Sequence, residues 1–147
     1  MGHHTSIHDS TGRIRTYQGL QQDSDLLDQI RRECAPDGFD IVIDDASHVA
    51  DDARTSFLHL FHHHLKPGGL YVIEDWGTGY WDSWPDGKRY DGSNHTAGMV
   101  GFVKELVDEL GMLDITDPSR GIPPLRKPSI ANIYMTYGQV FMRKAER

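Results

Sequence analysis

Apolar and polar positions follow two different periods along this chain. Phe39 to Ile43 (FDIVI) is a β-branched run that stops at Asp44 and Asp45, and Leu70 to Ile73 (LYVI) stops at Glu74 and Asp75. Short runs of this kind predict strands of a parallel sheet, buried on both faces, that send their acids out of one sheet edge. Between them Ala53, Phe57, Leu60, Phe61 and His64/Leu65 recur at helical spacing, and Lys66-Pro67-Gly68-Gly69 predicts the helix stop and the turn back. Upstream, Arg13 to Tyr17 (RIRTY) alternates like a short strand; Leu26, Leu27, Ile30 and Cys34 then keep helical spacing behind a cap at Asp23 or Ser24. Trp76 to Asn94 reads as a loop rich in Trp, Tyr, Asp and Gly, and Met99, Val103, Leu106, Val107 and Leu110 predict a last helix closed by Gly111. Beyond the Pro-rich stretch Asp117 to Pro128, two β-like runs, Ile130 to Met135 and Gln139 to Met142, are separated by a turn around Gly138. So short a connection predicts an antiparallel hairpin. The expected architecture is α/β, one core over residues 13–147 preceded by a flexible segment 1–12, with no internal repeat.

Composition narrows the partners. With 147 residues and 37% apolar content the chain suits one globular core. A net charge of −7 without a Lys/Arg run argues against nucleic acid or an anionic membrane as the main partner and favours a small molecule. No apolar run reaches the roughly 20 residues of a membrane span, and Met1 to Gly12 lacks a signal-peptide core, so a cytoplasmic location is expected. Cys34, the single cysteine, is expected to be a buried thiol in a reducing compartment.

Two successive parallel strands joined by one helix lie side by side, about 5 Å apart, so the acids ending FDIVIDD and LYVIED converge. Clustered carboxylates repel unless a cation joins them, and oxygen ligands favour Mg²⁺, Mn²⁺ or Ca²⁺. Asp45, Glu74 and Asp75 are the expected metal ligands, with Asp44 turned toward a cofactor or a backbone amide. Acids that cap helices or face water are the alternative. His48 lies three residues beyond Asp45, within reach of a substrate held there, where an imidazole can take a proton from a hydroxyl made more acidic by a cation. The aromatic residues Tyr80, Trp81, Trp84 and Tyr90 suit a substrate lid or sugar platform, or equally packing against a partner subunit in a homo-oligomer. The run His62-His63-His64 reads as a solvated helix end.

The segments IDDASH, LFHHHLKPGGLYVIEDW and GYW resemble the metal-dependent sugar O-methyltransferases of macrolide biosynthesis and the related cephalosporin-hydroxylase-like and rhamnosyl O-methyltransferase group, from about Arg13 to Lys144. The resemblance implies a truncated Rossmann-like methyltransferase sheet with a C-terminal hairpin and methylation of a hydroxyl on a sugar or natural product by S-adenosylmethionine. It also implies Mg²⁺ on Asp45, Glu74 and Asp75, and His48 as base. YQGLQQDSDLL is similar to the family's segment beside the adenosine, which makes Gln21 and Asp23 cofactor candidates; turn and helix cap are their alternative roles. Ala46 stands where the family has Gly, and Gly77-Thr78-Gly79 replaces a Thr-Ser pairing.

The glycine-rich turn after a first strand, and the second strand whose acid holds the ribose, are missing from this sequence. In the family's strand order 3-2-1-4-5-7-6 those strands separate the third from the fourth, so RIRTY is expected to slide in beside FDIVI, and cofactor affinity to be weak or absent in this chain alone. A non-catalytic metal-binding or oligomerising module is the competing reading. A metal-dependent hydrolase is disfavoured by the match of LKPGGLYVIED to methyltransferases.

Overall fold

A computed structural model describes residues 10–111, 119 and 129–146. Most of the expected flexible segment 1–12 and of the Pro-rich stretch 117–128 lies outside these residues. Helix α1 (Ser24–Cys34) begins where Asp23 caps it, accepting from the Leu26 N–H at 3.2 Å. Strand β1 (Phe39–Asp44) leads to α2 (Ala50–His59), which widens into a π turn (Leu60–His64) before β2 (Leu65–Glu74). A 3₁₀ turn (Trp76–Tyr80), α3 (Gly98–Gly111), β3 (Ile130–Met135) and β4 (Gln139–Lys144) follow.

The four strands form one sheet in the order β1-β2-β4-β3, with β1 and β2 parallel and β4 antiparallel to both of its neighbours. This is the 4-5-7-6 portion of the expected order, including the hairpin. One expectation needs adjustment within β2. Phe39 pairs with Leu65 and Ile41 with Leu70, so Lys66 to Gly69 does not separate helix from strand. The excess residues instead leave the ladder as a bulge inside the strand, with Gly68 at φ 72°.

The core occupies one face of the sheet. Tyr71, Ile73, Val140 and Met142 meet Phe57 and Phe61 from the α2 region and Met99, Phe102 and Val103 from α3, all essentially buried. Phe57 sits at the centre, stacked on Phe61 at 4.7 Å and edge-on to Tyr71 at 5.0 Å.

Three expectations fail here. β1 is not buried on both faces: Ile41 and Ile43 are 59% and 60% exposed, and Tyr134 on the same sheet face is 65% exposed. α2 and α3 pack on the other face, whereas on this one Val72 is buried but Ile41, Ile43 and Tyr134 are left exposed. RIRTY does not pair with FDIVI. Residues 13–17 belong to no strand and lie against α1, where Arg15 donates to the Glu33 carbonyl at 2.9 Å and Tyr17 to the Glu33 carboxylate at 2.7 Å. Cys34 is exposed, its sulfur 3.2 Å from the Tyr17 hydroxyl, because the C-terminal end of α1 overhangs the core.

Candidate metal and active site

Parallel pairing of β1 and β2 brings Asp44 opposite Ile73, so the acids that follow each strand emerge at one edge. Asp45, His48 and Asp75 each present a ligand atom there, all within 4.8 Å of one another. The His48 Nε2 lies 3.6 Å from Asp45 Oδ1, too far for a hydrogen bond but suited to sharing a cation or a substrate proton. The ring of His48 is mostly buried, at 14% exposure, whereas Asp45 is 60% exposed.

The backbone shows that this convergence is built. Among the described residues the only non-glycine positions with positive φ are His48 at 51° and Asp75 at 49°, two of the three members of the group. Left-handed backbone at such residues costs on the order of 1 kcal/mol or more each and persists only where surrounding contacts enforce it. Those contacts are present. The His48 carbonyl accepts from the Trp84 indole N–H at 2.9 Å and from the Thr78 hydroxyl at 3.3 Å. The Asp75 N–H donates to the Gly138 carbonyl at 2.8 Å in the β3–β4 turn.

Glu74 lies beside this group rather than within it, and its Oε1 accepts from Gln139 Nε2 at 3.1 Å. Asp44 turns inward, 9% exposed, accepting from Ser56 Oγ, the Tyr71 hydroxyl and Gln21 Nε2, each at 3.2 Å. Burial raises the pKa of its carboxyl despite those donors, and burial also holds the Tyr71 hydroxyl protonated well above the ordinary tyrosine range. Gln21 completes the network by accepting the Ser47 N–H at 2.8 Å, so it ties the loop after β1 to Asp44. A cavity of about 250 Å³ opens here, lined by Gln21, Asp44, Ser56 and Tyr71 among others. Asp23, by contrast, is engaged as the α1 cap.

No protein-family model matches the chain. Curated relatives do. Mycinamicin VI 2''-O-methyltransferase of Micromonospora griseorubida is 41% identical over 133 residues, 90% of this chain and 32% of the relative. Demethylmacrocin O-methyltransferase of Streptomyces fradiae is 36% identical over 137 residues, covering 93% and 33% of the two chains. The MycE methyltransferase solved in complex with Mg, SAH and mycinamycin VI superposes with a TM-score of 0.72 at 36% identity, over 95% of this chain and 35% of that one. This chain is a partial homologue of the macrolide-sugar O-methyltransferases. It spans about a third of the length of the relatives it matches.

In this methyltransferase homologue the expected aromatic platform divides. Trp84 packs its ring 6.1 Å from that of His48 and spends its N–H on the His48 carbonyl. Tyr80 sits in a cluster with Trp76, Tyr90 and the buried His95. Of the four aromatic residues expected to meet substrate, Trp81 and Tyr90 are the exposed ones, at 53% and 55%.

Sequence reasoning did not find four residues that hold the site. Thr78 and Gln139 steady His48 and Glu74. Ser56 donates to Asp44 from α2, and Asp86 accepts the first N–H of α2, from Ala50, at 2.7 Å. Of these only Asp86 carried a local signal, the Pro85-Asp86-Gly87 turn. The 3₁₀ turn that carries Thr78 needs Gly79, where a Cβ would meet the Ala97 carbonyl at 2.6 Å.

Proposed function

We propose that this chain supplies the metal and proton-transfer half of an S-adenosylmethionine-dependent O-methyltransferase acting on a sugar hydroxyl of a natural product. The observation that carries the reading is the enforced convergence of Asp45, His48 and Asp75, with its two left-handed residues, at the carboxyl end of β1 and β2. Solved relatives hold Mg and SAH, and one also holds mycinamycin VI.

The donor set fits a hard cation: Asp45 and Asp75 offer exposed carboxylate oxygens that converge with His48, while Glu74, the third expected ligand, stands beside them with its Oε1 engaged by Gln139. Mg²⁺ bound by these residues supplies a Lewis acid that makes an alcohol more acidic and fixes its position. His48, held by Trp84 and Thr78, accepts the alcohol proton at Nε2. Trp81 offers an exposed flat face to the sugar. Gln21 and Asp44 stand on the cofactor side, with Asp23 at its margin. The cavity lined by Gln21 and Asp44, of about 250 Å³, falls short of the roughly 300–1,000 Å³ that encloses a drug-sized ligand, which supports weak cofactor affinity in this chain by itself.

Calorimetry tests both parts. Mg²⁺ is expected to bind at one site per chain and to lose that site in Asp45→Asn. S-adenosylmethionine is expected to bind weakly at best, with methyl transfer to a macrolide sugar appearing only when the remaining two thirds of a relative is supplied in trans. Absence of Mg²⁺ binding in the wild-type chain removes the metal reading, and tight S-adenosylmethionine binding removes the division of labour.

A further inference from the structure

A second group of side chains converges at the other end of β2; because Leu65 pairs with Phe39 and Ile73 with Asp44, the two ends lie roughly 17 Å apart along the strand. Asp28 Oδ1 of α1 lies 2.7 Å from His59 Nε2 and 2.6 Å from His64 Nε2, and the two ring nitrogens are 3.1 Å apart. The π turn is what makes them meet. In a continuous α-helix, residues five apart point roughly 140° away from each other. Here the N–H of Leu65 bonds the Leu60 carbonyl, and the wider turn carries His64 back over His59.

We propose that Asp28, His59 and His64 form a second metal site, for a divalent d-block cation of the Zn²⁺ type. The donors are two imidazoles and one carboxylate, a set that selects such ions over Mg²⁺. Ligand bonds of about 2.0–2.1 Å place neighbouring donors roughly 2.9 Å apart at right angles and 3.4 Å apart in a tetrahedron. The observed 2.6–3.1 Å must open by about 0.3–0.8 Å to reach the tetrahedral spacing. As hydrogen bonds alone the arrangement is crowded, because one carboxylate oxygen must accept from two N–H groups whose nitrogens nearly touch. Nδ1 of His64 is buried without a hydrogen-bond partner, so no contact at that nitrogen selects between the two ring tautomers.

Access and consequence follow from the same elements. His59 lines an open cavity of about 740 Å³ together with His62 and His63, so the group borders solvent on the His59 side. α1 contains no buried residue, and Leu27 is its contact with the core. A cation held by Asp28 on one side and by His59 and His64 on the other clips α1 to the junction of α2 and β2.

The test is Zn²⁺ calorimetry with circular dichroism on the full chain carrying Asp45→Asn, so that the acidic edge is disabled throughout and the outcome is independent of methyl transfer. One saturable Zn²⁺ site per chain is expected, with a rise in Tm. His64→Gln and His59→Gln should weaken it by on the order of 100-fold, and the double variant His62→Ala/His63→Ala should leave it. Asp28→Asn, on the exposed side of the group, serves if a histidine variant does not fold. Co²⁺ should give visible absorption bands that vanish in the same variants. Absence of a saturable site overturns the proposal, as does equal affinity in the background chain and in His64→Gln or Asp28→Asn, or loss of binding in the His62/His63 variant.

Discussion

Replacing Asp45 by Asn should stabilise the chain without metal and destabilise it relative to wild type with metal. The ligand atoms of Asp45 and Asp75 lie no more than 4.8 Å apart. Two unit charges at that distance repel by about 0.9 kcal/mol at the dielectric of water and about 3.5 kcal/mol at an effective dielectric of 20. Asp45 is 60% exposed, so the lower figure applies, and salt reduces it further. Removing the charge in EDTA is therefore worth somewhat less than about 1 kcal/mol, a gain of roughly 2–4 °C in Tm at most for a chain of this size. Mg²⁺ at ten times its Kd stabilises the wild type by RT ln 11, about 1.4 kcal/mol, and gives the variant nothing. The two melting curves should cross: Asp45→Asn melts higher in EDTA and lower in excess Mg²⁺. Differential scanning fluorimetry reads both limbs. A variant that melts below wild type in EDTA would show that Asp45 has a stabilising partner instead of a repelling one. A variant that still responds to Mg²⁺ would show that the ion binds elsewhere.

Other expectations follow from single contacts. Trp84→Phe keeps the ring beside His48 but removes the 2.9 Å bond to its carbonyl; urea titration should show a loss of about 0.5–1.5 kcal/mol, and Mg²⁺ affinity should fall as His48 relaxes from its left-handed backbone. Tyr17 is pushed up to about 12, first by its contact with Cys34 and then by that with Glu33. Its folded value exceeds the ordinary 10, so the folded chain binds more protons in between; the stabilisation is complete below pH 10 and is lost as pH rises toward 12. Ultraviolet titration of phenolate in wild type against Tyr17→Phe should lose a tyrosine with that high midpoint, and an unchanged curve counts against the contact. Ile41→Thr with Ile43→Thr should lower binding of a hydrophobic dye with little change in Tm, because both side chains are already about 60% exposed; a large loss of stability would mean that the face is covered.

The order of elements was legible in the chain because it depends on local periodicity. Short, near-continuous apolar runs ending in acids marked β1 and the second half of β2, the 3.6-residue stripes marked α1 to α3, and the two-run tail marked the hairpin. Asp45, Asp75 and His48 could be named together because a parallel βαβ unit leaves its two strand ends adjacent, and that adjacency is topological. What only the tertiary structure decided depends on competition between distant groups. The bulge at Gly68 arises from pairing with β1, and the left-handed turns at His48 and Asp75 are enforced by Trp84, Thr78 and the Gly138 carbonyl. Residues 13–17 join α1 rather than β1, because Arg15 and Tyr17 find Glu33 there. His64 left the solvated helix end expected of it because a π turn shifts its direction by the width of one residue. Local pattern assigns each segment its preferred conformation, but which partner satisfies a hydrogen bond or covers an apolar face is settled only when the segments meet.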